Sequence, residues 1–180
     1  MNALVQTPGR SLAGLNAAQA LAEQRQYLTF MLGGEMFSIG ILGIKEIIEY
    51  AGVTEVPMMP ACIRGVINLR GAVVPVMDLS SRFGKPTTAV TKRTCIVIVE
   101  VTGDDGQSQV MGIVVDAVNA VLEIPASEIE PAPAFGAKIR TDFIEGMGKV
   151  DGKFVILLNV NRVLSIEEIG AIAQMTDQTM

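Results

Sequence analysis

The chain contains no histidine and no tryptophan. Without histidine, the usual general base near neutral pH is missing, and so is the commonest metal ligand. Ser-His-Asp and Cys-His schemes are excluded in their ordinary form, and the chain cannot itself accept a phosphoryl group on histidine. There are two cysteines, Cys62 and Cys95, far apart and without C-x-x-C spacing, which reads as two buried free thiols. Basic residues are few and scattered, and the net charge is −5. A nucleic-acid partner is therefore not expected, because it would require a clustered basic face. No apolar run reaches the ~18–20 residues that span a bilayer, and the best candidate, residues 30–44, is broken by Glu35. The N-terminus has no basic segment followed by an apolar one, so a cytoplasmic chain without membrane insertion is expected. Paired acidic motifs, a glycine-rich phosphate loop and a nucleophile elbow are all missing, and no cofactor or metal is expected.

What is present is apolar residue in quantity: 49% of 180 residues, ample for the core of one domain or of two small subdomains. The organising stretch is residues 64–82, R-G-V-I-N-L-R-G-A-V-V-P-V-M-D-L-S-S-R. Its apolar alternation predicts two strands, 66–69 and 73–77, joined at Arg70-Gly71. Pro75 cannot donate to a ladder, which predicts an edge or a bulge there.

Strands are predicted on either side of Gly33-Gly34, at 27–32 and 36–39. Residues 42–45 read as a helical turn leading into a strand at 46–50, and residues 61–64 as one further helical turn. Residues 94–101 are almost purely β-branched and predict a central strand. Gly103-Asp104-Asp105-Gly106 reads as a hairpin turn, since a calcium-type loop would need later ligands that do not follow. Strands follow at 109–115 and 118–124, then a proline-rich loop, then a hairpin turning at Asp151-Gly152. Residues 1–25 read as a flexible leader in which Asn16 could cap a short helix, and Ser165 with Glu168 forms a capping box for a C-terminal helix.

The two halves repeat one another. Ile39-x-Ile41-x-x-Ile44-x-x-Ile47-Ile48-Glu49 matches Ile113-x-Val115-x-x-Val118-x-x-Val121-Leu122-Glu123. Gly65, Gly71, Val74 and Val76 match Gly146, Gly152, Val155 and Leu157, and each copy closes on a helix-starting residue, Asp78 or Asn159. Short strands with glycine turns suit small barrels, and two lobes of this size would pack together.

Asp78 and Asp116 are the candidate carboxylates, but each stands where a strand ends, and Asp78 reads as a helix N-cap. Arg70 is either a surface arginine bonded to nearby carbonyls or a rigid interface anchor between apolar strands. Glu46, among Ile44, Ile47 and Ile48, is either a solvated strand charge or the fixed charge of an apolar patch. Met58-Met59, between prolines, is a candidate for exposure at an interface.

The motif G-V-I-N-L-R-G-x-V-V-P-V-x-D-L resembles the signature of the CheW adaptors of bacterial chemotaxis. G-I-x-x-I-K-E-I-I-E and V-P-x-x-P upstream, and G-I-V-V-D-A-V-x-x-V-L downstream, fall in that family's order, across residues 26–164. The resemblance implies a mainly β fold of two SH3-like five-stranded barrel subdomains, 26–92 and 93–164, with short helical turns, a groove between them and a C-terminal helix from 165. It implies a non-enzymatic scaffold that couples methyl-accepting chemoreceptors, at their cytoplasmic tips, to the regulatory domain of the histidine kinase CheA, in arrays at the inner membrane. Ile41, Ile44, Glu46 and Arg70 match in type the positions that line the family's receptor-binding groove. The kinase-facing residues are not identified by it. A CheW-like adaptor of another chemosensory pathway, half of a CheV-like protein and a carboxylate-only enzyme are the alternatives.

Overall fold

The computed structural model describes residues 26–103, 106–131 and 143–165. The leader with its Asn16-capped helix and the helix after Ser165 lie outside the described residues. The chain runs β1 (Gln26–Leu32), β2 (Glu35–Gly40), a 3-10 turn (Ile41–Gly43), β3 (Ile44–Glu49), β4 (Ile63–Leu69), β5 (Ala72–Asp78) and α1 (Leu79–Arg82). It continues with β6 (Cys95–Thr102), β7 (Ser108–Val115), β8 (Ala117–Glu123), a 3-10 turn (Ala126–Glu128), β9 (Ile129–Glu130), β10 (Ile144–Val150), β11 (Lys153–Leu158) and α2 (Val160–Val163).

The strands form two sheets, ordered β3-β6-β7-β5-β4 and β8-β1-β2-β11-β10-β9. Each sheet curls until the chain leaving one edge arrives at the other. Thr54, just beyond β3, bridges Val66 on β4. Likewise β9, just beyond β8, pairs with β10. This is how a small barrel hides its edges. Gly65 makes the approach to Thr54 possible, since a Cβ there would fall 2.1 Å from the Thr54 carbonyl oxygen, at a φ of +150°.

The division expected at residues 92/93 does not follow the sheets. Hairpin β1–β2 joins the sheet of β8 to β11, and hairpin β6–β7 joins that of β3 to β5. Each half of the repeat lends its first hairpin to the other half, and a linear repeat cannot reveal which copy a hairpin pairs with. The repeat itself holds in three dimensions. The parallel pair β5–β7 sets Val76 opposite Gly112, and β11–β2 sets Leu157 opposite Ser38. Register shifts fall at equivalent places, between Ile63 and Gly65 and between Ile144 and Gly146. Asp78 and Asn159 cap equivalent helical turns by accepting from Ser81 N and Arg162 N.

Each lobe has a small interior, Ile67, Val76, Ile96, Ile98 and Val114 in one and Tyr27, Ile124, Val155 and Leu157 in the other. The largest core lies between the lobes and includes Phe30, Phe37, Val97, Val99, Met77, Leu79 and Phe143. Four of the chain's six phenylalanines form a continuous run through it, Phe30–Phe37–Phe83–Phe143, at centroid spacings of 6.3, 5.7 and 5.9 Å. Arg82 of α1 lies over the Phe143 ring at 4.7 Å, and its Nε donates to the Val163 carbonyl of α2 at 2.9 Å. The lobes are thus locked by packing and by a charged clasp.

Four local readings need correction. β5 is an internal strand, but its pairing with β7 begins only at Val76, so Pro75 precedes that ladder and needs no edge. Residues 61–62 are a simple turn, and β4 already starts at Ile63, where the N–H donates to Pro60 O. The turn is a 3-10 turn at Ile41–Gly43, shorter and one residue earlier than the predicted 42–45, and β3 starts at Ile44 rather than at 46. Cys62 is buried, but Cys95, at the start of a strand, is half-buried.

Candidate functional site

Arg70 and Gly71 both have positive φ, 52° and 88°, which gives the two-residue turn between β4 and β5 its mirror-image form. Asn68 Oδ1 accepts from Gly71 N at 2.8 Å and fixes the turn. The Arg70 guanidinium thereby projects from a rigid corner toward β3. There it meets Glu46 in a two-pronged ion pair, Nη1 on Oε2 and Nη2 on Oε1, the second at 3.2 Å. The Arg70 side chain is 74% exposed and that of Glu46 25%. The hydrogen bond to Glu46, and then its charge, hold the arginine pKa above its ordinary value. The pair borders a recess of about 530 Å³ lined by Lys45, Leu69, Ala72, Val74 and Val110, over the end of the first lobe's interior.

Glu46 and Arg70 are therefore brought together, but Ile41 and Ile44 are not with them. The β3–β6 register shifts between Ile44 and Glu46, leaving Lys45 as an extra residue. Ile44 pairs with Val99 and Glu46 with Ile98, which are neighbours on β6 and face opposite sides. Ile44 and Ile41 accordingly pack against the core between the lobes. The exposed apolar side chain of the turn is Leu42, at 54%.

Leu42 opens a second recess of about 230 Å³, whose walls come from both lobes: Tyr27, Gly40, Val99, Glu100, Glu145 and the 158–161 turn among them. An exposed ion pair, Lys45 Nζ to Glu100 Oε2 at 3.7 Å, joins the two recesses. Glu100, Glu145, Asn159 and Asn161 of this site are not legible as a motif, since they come from three separated places in the chain. Burial raises the Glu145 pKa. Burial, and then the charge of Glu145, raise that of Tyr27. A carboxyl with a raised folded-state pKa binds protons more tightly than in the unfolded chain. Its stabilisation is present below the ordinary carboxyl range and is lost as pH rises through the raised pKa. Because Glu145 is exposed and screened by solvent, Glu145→Gln is expected to unfold at only a slightly higher urea midpoint than wild type at pH 7, with the gap closing by about pH 4.

The other expected site residues are structural. Asp116 Oδ2 accepts from Gly33 N at 2.8 Å and anchors the β1–β2 turn. Asp78 is fully buried and accepts from Thr88 N, Thr88 Oγ1 and Ser81 N. Met58 is 49% exposed and has a φ of 66°, whereas Met59 packs on the core. Among the described residues no helix is long and apolar enough to cross a membrane.

Fold and site define a two-lobed β interaction module, with a charged pair and a groove between lobes as its surface features. The CheW-like domain model matches residues 26–168. Chemotaxis protein CheW of Klebsiella aerogenes is 35% identical over 164 residues, covering 89% of this chain and 96% of that protein. Protein FrzA of Myxococcus xanthus is 31% identical over 169 residues, covering 93% and 99%. The crystal structure of the scaffolding protein TtCheW from Thermoanaerobacter tengcongensis superposes with a TM-score of 0.70 at 33% identity, covering 79% of this chain and 89% of that one. The chain belongs to the CheW family of chemotaxis scaffolds.

Proposed function

We propose that this protein couples methyl-accepting chemoreceptors to the histidine kinase CheA in the cytoplasm, at receptor arrays on the inner membrane, and catalyses no reaction of its own. The observation that carries this reading is the Glu46–Arg70 pair, held at a rigid corner beside a groove between two locked lobes. A two-pronged guanidinium that is three-quarters exposed contributes little to folding and is well suited to contact a partner.

The receptor's helical hairpin tip lies across the joined recesses, with Leu42 and the Glu46–Arg70 pair as its contacts, in a helix-in-groove mode. Ile41 and Ile44 support that surface from beneath. The regulatory domain of the kinase pairs with the ends of the sheets. Each contact is modest, and repetition within an array raises the effective concentration of all three proteins. Receptor state reaches the kinase as a shift in the populations of these packed arrangements.

The test is kinase autophosphorylation with receptor membranes, with and without this protein. Strong activation that requires all three components is expected. Equal kinase activity in its absence would refute the proposal.

A further inference from the structure

Glu145 is the extra residue of the β10 bulge, between Ile144 and Gly146. Its counterpart in the repeat is Arg64, in the β4 bulge between Ile63 and Gly65. Arg64 has a counter-charge and a hydrogen-bond acceptor. Its Nη2 donates to Thr88 O at 2.7 Å, its Nε lies 3.4 Å from Asp78 Oδ2, and its guanidinium stands 5.4 Å from the Tyr50 ring centroid. In the second lobe the counterpart of Asp78 is Asn159, which carries no charge. Among the described residues, no ion pair or hydrogen bond engages the Glu145 carboxylate.

Glu145 instead lines the groove between the lobes, together with Glu100, the amides of Asn159 and Asn161, and apolar surface from Leu42 and Val160. The cation nearest Glu100 is Lys45, at 3.7 Å in a pair that is half exposed on both sides and so weak. The groove thus offers a carboxylate without a partner, a second that is loosely held, and an apolar wall. A metal ion does not suit it, because among the described residues no three acidic, cysteine or histidine side chains stand together. A long basic side chain suits both features, its methylene stem against Leu42 and Val160 and its charged head on the carboxylate.

We propose that Glu145 receives a lysine or arginine side chain from the receptor segment that occupies this groove, and so helps to select receptors with a basic residue at that place. The inference rests on the reading of the groove as a receptor site. Glu145 is exposed in the unbound protein; the groove walls desolvate its carboxyl only in part and raise its pKa, and an arriving cation would offset that.

Binding of the full chain to a soluble cytoplasmic fragment of a chemoreceptor, followed by calorimetry at low and high salt, tests it. Glu145→Gln is expected to bind roughly tenfold more weakly than wild type at low salt and to show a shallower salt dependence. Glu123→Gln, an exposed carboxylate at the end of β8 that does not line this groove, is expected to bind like wild type. Glu145→Arg is expected to bind weakest, and one lysine- or arginine-to-glutamate change in the fragment should restore its binding. Glu145→Gln binding within twofold of wild type, or no restoring change in the fragment, would overturn the inference. If Arg70→Glu lowers binding while Glu145→Gln does not, the inference alone fails. If wild type does not bind, or Arg70→Glu binds normally, the receptor-site reading fails and this inference with it.

Discussion

Replacing Asp78 with alanine is expected to cost about 3–5 kcal/mol of folding stability, the range for removing one partner of a buried ion pair. Asp78 is fully buried, and one carboxylate serves four groups. It accepts from Thr88 N at 2.9 Å and Thr88 Oγ1 at 3.2 Å, which ties the 84–92 connection to the lobe. It also caps α1 through Ser81 N at 3.3 Å and faces Arg64 at 3.4 Å. Alanine would leave the buried Thr88 N–H without its acceptor and remove the charge that faces the Arg64 guanidinium. A domain of this size is stable by ~5–15 kcal/mol in all, so the loss is large. Asp78→Asn should fall between the two, since Asn159 shows that asparagine can cap the equivalent turn while offering no charge. Urea unfolding measures all three. A change below about 1 kcal/mol for the alanine variant would contradict the proposed role of the buried carboxylate.

Replacing Arg70 with glutamate should give the opposite result, a stable fold and a lost function. The Arg70 side chain is 74% exposed, and exposed ion pairs contribute only ~0–1 kcal/mol, so the urea midpoint should move little. Receptor binding should fall about thirtyfold or more, which corresponds to the loss of ~2 kcal/mol that marks an interface hot spot. The glutamate would also stand opposite Glu46, placing two like charges where the guanidinium had been. Kinase activation in receptor membranes should fall in step. A variant that unfolds would show the pair to be structural, and a variant that activates normally would show that the partner does not contact it.

Much of the fold was legible because it is set by local chemistry. The glycine turns, the β-branched run of β6 and the Asp78 and Asn159 caps each dictate their own geometry. The internal repeat was legible because equivalent bulges and turns need the same residue types, as at Gly65 and Gly146. The exchange of hairpins between halves was not, because pairing partners distant in sequence leave no periodic trace. The charged residues of the candidate site, Glu46 and Arg70, were legible as separate candidates, and their meeting in one ion pair emerges only from the fold. The packing of its apolar members was not legible. A single extra residue at Lys45 reverses the alternation and turns Ile44, half-buried, toward the core between the lobes, while Leu42 of the preceding turn stays exposed. Glu145 shows a related limit: the repeat sets Gly65 over Gly146 and so aligns it with Arg64, but only the fold shows that Arg64 faces Asp78 while Glu145 stands in the groove.

Sedimentation of the kinase with receptor-bearing membranes tests the central claim most directly. If the protein joins receptor to kinase through the Glu46–Arg70 corner and its groove, the kinase should pellet with the membranes in the presence of wild type and much less with Arg70→Glu. Equal pelleting with wild type, with Arg70→Glu and with no added protein would contradict the account.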